Sequence, residues 1–287
     1  MKKREKIALA LLYNMKRNLT KIELSKLLFL LKQETSFISD DSFYDFVPYL
    51  YGPYSFSLFS DVGSLARQGY ISETDTEVLI DNVVKVKREL SSIAFQENAD
   101  VWKIIKKYSG LSQRALVDDI YARYPWFASR SKISKIKQPD IVAPVAIYTI
   151  GYEKKSIDTF LRQLISIGIK RIVDVRCNPI SRVYGFSKKN LESFLSKMSV
   201  SYTHFPLLGI PSEYRQNLEN AEDYRVLFRR YAEEVLPGNV PEIINVLELM
   251  KDSPSALLCF ESNPACCHRG VLAKKISSMS KIPIKHL

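Results

Sequence analysis

The sequence is poor in the two residue types that build disulfide scaffolds and most zinc sites, with four cysteines and three histidines in 287 residues. Cys266 and Cys267 are adjacent in the chain, which makes them a poor pair for a bridge. There is no Cys-x-x-Cys pair, and the spacings match no zinc motif. The low number of cysteines and histidines excludes a disulfide scaffold. It predicts reduced thiols in a cytoplasmic protein, with no metal and no cofactor.

Long apolar runs are also missing. The run from Ile7 to Tyr13 is short and is followed by Asn14, Lys16 and Arg17, so the sequence predicts neither a signal peptide nor a membrane span. What is present is 46% hydrophobic residues and a formal net charge of +11. The apolar share predicts a substantial core, and the length predicts two domains. The basic excess favours polyanionic partners such as nucleic acid or nucleotides, although it also aids solubility.

Residues 1–128 are predicted to form a mainly helical, winged-helix-like domain. Ile7, Leu11 and Met15 recur at helical spacing, and Thr20 is placed to cap a second helix. Three helices followed by strands give the element order of a winged helix. The predicted third helix and strands are Ser55 to Gln68, Tyr70 to Ser72, Val78 to Ile80 and Val83 to Lys87, with a hairpin turn at Asp81-Asn82.

A winged helix favours DNA binding, but the predicted third helix offers only one cation, Arg67, to base edges. Lys85, Lys87 and Arg88 in the predicted wing are candidates for phosphate contacts. The alternative is a homodimerisation or partner-binding module. The segments 24–29 and 46–55 loosely resemble phage-associated and toxin-neutralising helical domains. Residues 129–143, rich in Arg and Lys, are predicted to be a basic linker.

Residues 144–287 are predicted to be an α/β domain, because short apolar runs alternate with amphipathic helical segments. This order predicts a Rossmann-like, mostly parallel sheet with flanking helices. The predicted strands are Val145 to Ile150, Arg171 to Val175, Tyr202 to Phe205, Ala256 to Phe260 and Ile282 to Leu287. In such sheets the ligand site lies at the carboxyl ends of the strands.

Two carboxylates follow the predicted strands at that edge. Asp174 ends the second strand and Glu261 follows the fourth. Together they are candidates for general acid and base, as in glycosidic bond cleavage. An equally weighted alternative for Asp174 is a buried ion pair with an arginine, because a charge inside a β-branched strand is costly unless it is paired.

The polar loop after the fourth strand leads into a predicted helix that begins near Cys267, His268 and Arg269. Helix N-termini attract anions and lower thiol pKa values, so Cys267 and His268 are candidate catalytic groups. The alternative is that Cys267 packs and His268 caps a neighbour. The candidate phosphate- or ligand-binding residues are Arg176, Arg182, Tyr184, His204 and Arg269.

The motifs in residues 145–287 resemble the family known as domain of unknown function 488. The matching pieces are Tyr148 to Tyr152, Ile172 to Arg176 with Pro179, Arg182 and Phe186, Tyr202 and His204 with Leu208-Gly209, and Leu257 to Glu261 with Cys267 to Arg269. Tyr152 stands where the family often has His, and Cys266 is an extra thiol. The resemblance implies a Rossmann-like domain and supplies no reaction.

The first hypothesis for function is therefore a nucleotide- or nucleic-acid-processing enzyme, a hydrolase or one that acts on base or glycosidic bonds. The second is a non-enzymatic nucleic-acid-binding or ligand-sensing regulator in phage defence or toxin control. The third is a thiol-dependent sulfur transferase that uses Cys267. The sequence leaves open whether the chain is an enzyme at all.

Overall fold

The computed structural model describes residues 1–134, 141–215 and 218–287. The chain divides into two compact units, Met1–Pro139 and Asp140–Leu287. Part of the predicted basic linker, residues 135–140, lies outside the described residues. At the end of that predicted linker, Ala143 is buried and its N–H donates to the carbonyl of Gly168. No helix among the described residues is both long enough and apolar enough to cross a bilayer.

The first unit is rich in helices, as predicted. The predicted cap of its second helix is present, since Thr20 Oγ1 accepts from the Glu23 N–H while Glu23 accepts from the Thr20 N–H. The helices are α1 (Lys3–Met15), α2 (Lys21–Glu34), α3 (Phe56–Arg67), α4 (Val83–Leu90), α5 (Phe95–Tyr108), α6 (Gln113–Arg123) and α7 (Pro125–Ala128), with a 3₁₀ turn at Ser36–Ser39.

The strands of this unit are short. They are β1 (Leu19–Thr20), β2 (Val47–Tyr49), β3 (Gly52–Tyr54), β4 (Ile71–Glu73) and β5 (Glu77–Ile80). Antiparallel pairing joins β1, β5 and β4 in that order, and β2 pairs separately with β3.

The predicted strand at 83–87 is wrong, because these residues form α4. The valines in residues 83–87 favour a strand. However, the Asn82 side chain accepts from the Lys85 N–H and caps a helix that buries Val86. The hairpin turn consequently lies between β4 and β5, at residues 74–76, and not at Asp81-Asn82. Lys85, Lys87 and Arg88 therefore lie on a helix and not on a wing.

The second unit alternates strands and helices, and the prediction of an α/β fold with a mostly parallel sheet is confirmed. Its strands are β6 (Ile147–Gly151), β7 (Arg171–Asp174), β8 (Ser201–His204), β9 (Ser255–Cys259) and β10 (Ile284–His286). Its helices are α8 (Ile157–Ile167), α9 (Lys188–Lys197), α10 (Ala221–Arg230), α11 (Leu236–Gly238), α12 (Val240–Asp252) and α13 (His268–Ser280), with a π-helical segment at Tyr231–Val235. Short 3₁₀ turns lie at Pro206–Leu208, Ser212–Arg215 and Pro264–Cys266.

All strand pairs described in this sheet are parallel, in the order β10-β6-β9-β7-β8. The inner strands β6 and β9 are buried along their whole length, as expected for a sheet covered by helices on both faces. The chain leaves β7 toward β8 on one side and leaves β9 toward β10 on the other. The neighbours β7 and β9 therefore flank a topological switch point, where a crevice opens in sheets of this kind.

Candidate functional site

The candidate site lies at the carboxyl ends of β7 and β9. Asp174 is the last residue of β7 and is paired in register with Leu258 of β9, three residues before Glu261. The prediction that two carboxylates follow neighbouring strands is thus met by the topology. Their surroundings differ, since Asp174 is fully buried whereas Glu261 is partly exposed.

Asp174 is held in a buried ion pair. Arg176 Nε lies 2.8 and 3.1 Å from its two carboxylate oxygens, and the Tyr202 hydroxyl donates to Oδ2 at 2.7 Å. Burial of the Arg176 guanidinium favours its neutral form, but the hydrogen bond and charge of Asp174 outweigh burial and raise the pKa of Arg176. Burial, together with the charge of Asp174, also raises the pKa of Tyr202. The Arg176 guanidinium is therefore held in its charged form.

The same guanidinium ties two further segments to β7. Its Nη1 donates to the Tyr152 hydroxyl at 3.0 Å and to the carbonyl of Phe186 at 2.9 Å. The Tyr152 ring stacks on Phe186 with 4.2 Å between centroids. Arg176, predicted to bind phosphate, is 6% exposed and directs its donors to protein groups. The geometry gives it an ordering role for the loop that carries Arg182 and Tyr184.

Glu261 lies against two thiols and an imidazole. Cys259 Sγ is 3.3 Å from Glu261 Oε2 and 3.5 Å from His268 Nδ1, and Cys267 Sγ is 3.9 Å from the same nitrogen. Burial favours the protonated carboxyl, but hydrogen bonds from Cys267, a backbone N–H and Cys259 outweigh it and lower the pKa of Glu261. The predicted catalytic residues Glu261, Cys267 and His268 are thus brought together, with Cys259 added to them.

Cys267 occupies the N-cap position of α13, which places its thiol at a helix N-terminus as predicted. It is nevertheless 2% exposed, and burial raises the pKa of the Cys267 thiol far above its ordinary value. Desolvation of a thiolate here outweighs the attraction of the helix dipole. The neighbouring Cys266 is exposed.

Arg269 braces the loop that carries Glu261. Its side chain is fully buried, and its guanidinium donates to the carbonyls of Glu261 and Ser262, the latter at 2.9 Å. Within the described residues its Nε has no hydrogen-bond partner. Gly151 at the end of β6 permits this loop to approach, because a Cβ there would collide with the Glu261 carbonyl.

Three candidate ligand-binding residues lie at the carboxyl edge of the sheet and form the rim of the candidate site. Arg182 and Tyr184 are exposed on the loop after β7, and Tyr184 packs its ring against Phe194. His204 ends β8, and its Nε2 lies 2.8 Å from the carbonyl of Arg176. Because a carbonyl only accepts, that nitrogen carries the proton and Nδ1 faces Lys188 Nζ at 3.4 Å. The rim therefore combines positive charge with aromatic surface.

Comparison with known families gives a match, which covers the part of the chain that carries this site. The family model described as "Domain of unknown function DUF488" matches residues 156–276. This part of the chain resembles a DUF488 domain. No curated protein and no solved structure matches the chain significantly.

Every predicted site residue lies within residues 156–276, the span that the family model matches. Sequence reasoning did not single out Tyr202 or Cys259 as members of the site. Tyr202 stands two residues before His204 on an alternating strand, which places both side chains on one face. Cys259 ends an apolar run, which predicts a core residue. In the structure the start of α13 lies beside the end of β9, and this brings Cys259 close to His268.

The N-terminal unit has a separate cavity of about 720 Å³, bordered by α2 and the β2–β3 hairpin. Lys26 lines it, is 2% exposed, and donates from Nζ to the carbonyl of Pro53 at 3.0 Å. Burial lowers the pKa of Lys26 to about 7. The rings of Tyr54 and Phe59, which also line the cavity, are stacked. A titratable amine beside stacked rings is an arrangement that can bind a small ligand.

The third helix of this unit is largely covered. Arg67 is the exposed residue of α3, whereas Asp61 is buried and accepts from Lys2 and Arg4. A helix that reads the major groove must present several polar side chains to base edges. This burial favours a packing role for α3 over direct base contact.

Proposed function

We propose that the second unit binds a nucleotide or a nucleic-acid segment at the carboxyl edge of its sheet and acts on it as a hydrolase or on its glycosidic bond. The observation that carries the proposal is the position of Glu261. It is a partly exposed carboxylate at the topological switch point between β7 and β9, where open α/β sheets bind ligands.

Glu261 is the group we assign to the chemistry. A carboxylate at this edge can accept a proton from an attacking water or stabilise positive charge that develops on a sugar ring. Asp174 is engaged by Arg176 and Tyr202. We therefore assign to Asp174 a positioning role, which acts through Arg176 on the loop that carries Arg182.

The exposed cations at the rim are the groups we assign to phosphate. Arg182 and Lys188 are exposed, whereas the guanidinium groups of Arg176 and Arg269 are buried against protein acceptors. Tyr184 adds a ring on which a base can stack. The net charge of +11 favours capture of a polyanion at this edge. The four free thiols fit a reducing, cytoplasmic compartment.

The proposal is tested by Glu261→Gln in the full chain, assayed against a panel of nucleotides and labelled oligonucleotides. We expect turnover to fall by about 100-fold or more, within the range that general acid–base groups contribute, while binding persists. The matched control is Glu192→Gln, because Glu192 is an exposed residue of α9. Equal turnover in the two variants would remove Glu261 from the chemistry.

Arg182→Ala with Lys188→Ala should weaken binding and reduce its salt dependence.

A second candidate function is a ligand-sensing regulator, which the Lys26 cavity favours. The element order of the N-terminal unit, with a β4–β5 hairpin after three helices, supports a winged-helix-like recognition module. In this proposal the unit binds a partner or a second copy of the chain, in a phage-defence or toxin-control setting. Ligand binding that is lost in Lys26→Met but retained in the Arg182/Lys188 double variant would favour it.

The sulfur transferase hypothesis receives no such support. A sulfur-carrying cysteine must be reached by donor and acceptor molecules as a thiolate. Cys267 is buried between Cys259 and His268, so we do not propose this activity.

A further inference from the structure

Three metal-ligating groups converge beside Glu261. The Sγ atoms of Cys259 and Cys267 and a ring nitrogen of His268 all lie within 4.8 Å of one another, and all three residues are buried. The ligand atoms come from the end of β9 and from the start of α13. Both are regular elements, which hold a site more precisely than loops do.

The tautomer of His268 suits a metal. Its Nε2 lies 2.9 Å from the backbone carbonyl of Val175. A carbonyl only accepts, so Nε2 carries the proton and Nδ1 presents its lone pair to the two thiols. Metal-ligating histidines are commonly oriented in this way by a carbonyl or carboxylate on the other ring nitrogen.

The distances agree with tetrahedral zinc geometry. Zn–S bonds of ~2.3 Å and Zn–N bonds of ~2.0 Å place neighbouring ligand atoms about 3.5–3.8 Å apart in a tetrahedron. The nitrogen of His268 is 3.5 Å from Cys259 Sγ and 3.9 Å from Cys267 Sγ. Glu261 lies next to this cluster, with its Oε2 3.3 Å from Cys259 Sγ.

We propose that Cys259, Cys267 and His268 bind a Zn²⁺ ion, with Glu261 beside the ion and not among its ligands. Binding releases one proton from each thiol to solvent, and the two thiolates balance the charge of the ion. A buried site then carries no net charge from these three ligands, which removes the cost of a lone buried thiolate. Glu261, next to these three buried ligands, is partly exposed.

The spacing of the ligands explains why sequence analysis predicts no metal. Cys259 and Cys267 are separated by seven residues and Cys267 is adjacent to His268, which matches no common zinc motif. The proposal does not depend on the proposed function. If both hold, a Lewis acid stands at the same edge of the sheet as Glu261 and can activate a water there.

The test measures metal in the purified full chain under reducing conditions, by mass spectrometry of zinc and by absorption after cobalt substitution. We expect about one zinc per chain and an intense sulfur-to-cobalt charge-transfer band, which reports thiolate ligands. Cys259→Ser and Cys267→Ser should each lose most of the zinc and weaken that band. The matched control is Cys266→Ser, because Cys266 is adjacent but exposed, and it should bind zinc as the wild type does.

A second measurement distinguishes the loss of a zinc ligand from poor folding of a variant. Added zinc should raise the Tm of the metal-stripped wild type and of Cys266→Ser, but not of Cys259→Ser. A wild type that binds neither zinc nor cobalt, or a Cys266→Ser variant that loses them as Cys267→Ser does, would overturn the site. Zinc binding without any nucleotide turnover would instead contradict the proposed function alone.

Discussion

At the scale of the residue, Asp174 illustrates how burial decides between chemistry and structure. Its carboxylate is fully buried and paired with Arg176. Asp174→Asn leaves an uncompensated guanidinium in a dry environment, and breaking a buried pair in this way costs about 3–5 kcal/mol. We expect the free energy of unfolding, measured with urea, to fall by that amount.

The control for this prediction is another Asp→Asn change in the same unit. Asp252 is exposed and lies 3.4 Å from Arg171, and exposed pairs contribute roughly 0–1 kcal/mol. Similar losses in Asp174→Asn and Asp252→Asn would show that the Asp174 pair contributes nothing beyond a surface contact. Its proposed positioning role would then lack a physical basis.

At the scale of the element, the end of β6 determines where Glu261 lies. A Cβ at Gly151 would collide with the Glu261 carbonyl, so Gly151→Ala must displace the loop that Arg269 braces. Overpacking of this kind costs about 1–3 kcal/mol. We expect that loss in urea unfolding, together with reduced turnover.

The control is Gly238→Ala in α11, where a Cβ would meet nothing within 4 Å. Since alanine is favoured over glycine in a helix, stability there should stay equal or rise by up to about 1 kcal/mol. If Gly151→Ala behaved as Gly238→Ala does, the contact between β6 and the Glu261 loop would not constrain the site.

The elements also show what the sequence could predict. Apolar runs such as Ala256 to Phe260 locate the sheet strands, and parallel connectivity then brings Asp174 and Glu261 to one edge. The strand prediction for residues 83–87 is wrong because β-branched valines favour a strand, whereas the Asn82 cap and the burial of Val86 stabilise a helix. The Cys259–His268 contact could not be predicted, because spacing along the chain does not give the path of the intervening loop.

At the scale of the whole molecule, each unit encloses a core of its own, and the N-terminal core also buries an amine. That amine is Lys26, which donates to the carbonyl of Pro53, and no carboxylate in the described part of the chain is hydrogen-bonded to it. Charged amines are rarely buried in this way because desolvation is costly. The stability of the chain should therefore depend on pH through this residue.

Lys26 has a pKa of about 7 in the folded chain against an ordinary value of 10.5. Between these values the unfolded chain binds more protons than the folded one, so the free energy of unfolding rises with pH from about 7 to about 10. Below pH 7 the full cost of burying the charged amine is present. The gain across this window is roughly 5 kcal/mol at most, at 1.36 kcal/mol per pKa unit.

Lys26→Met is the comparison that isolates this effect, because the tyrosines and thiols that titrate in the same window are common to both proteins. We expect the variant to be more stable than the wild type near pH 7 and to lose that advantage as the pH approaches 10, measured by urea unfolding at several pH values. Parallel curves for the two proteins would mean that Lys26 remains charged in the folded state. The cavity would then hold a solvated ammonium group, and a neutral amine could not be part of its ligand recognition.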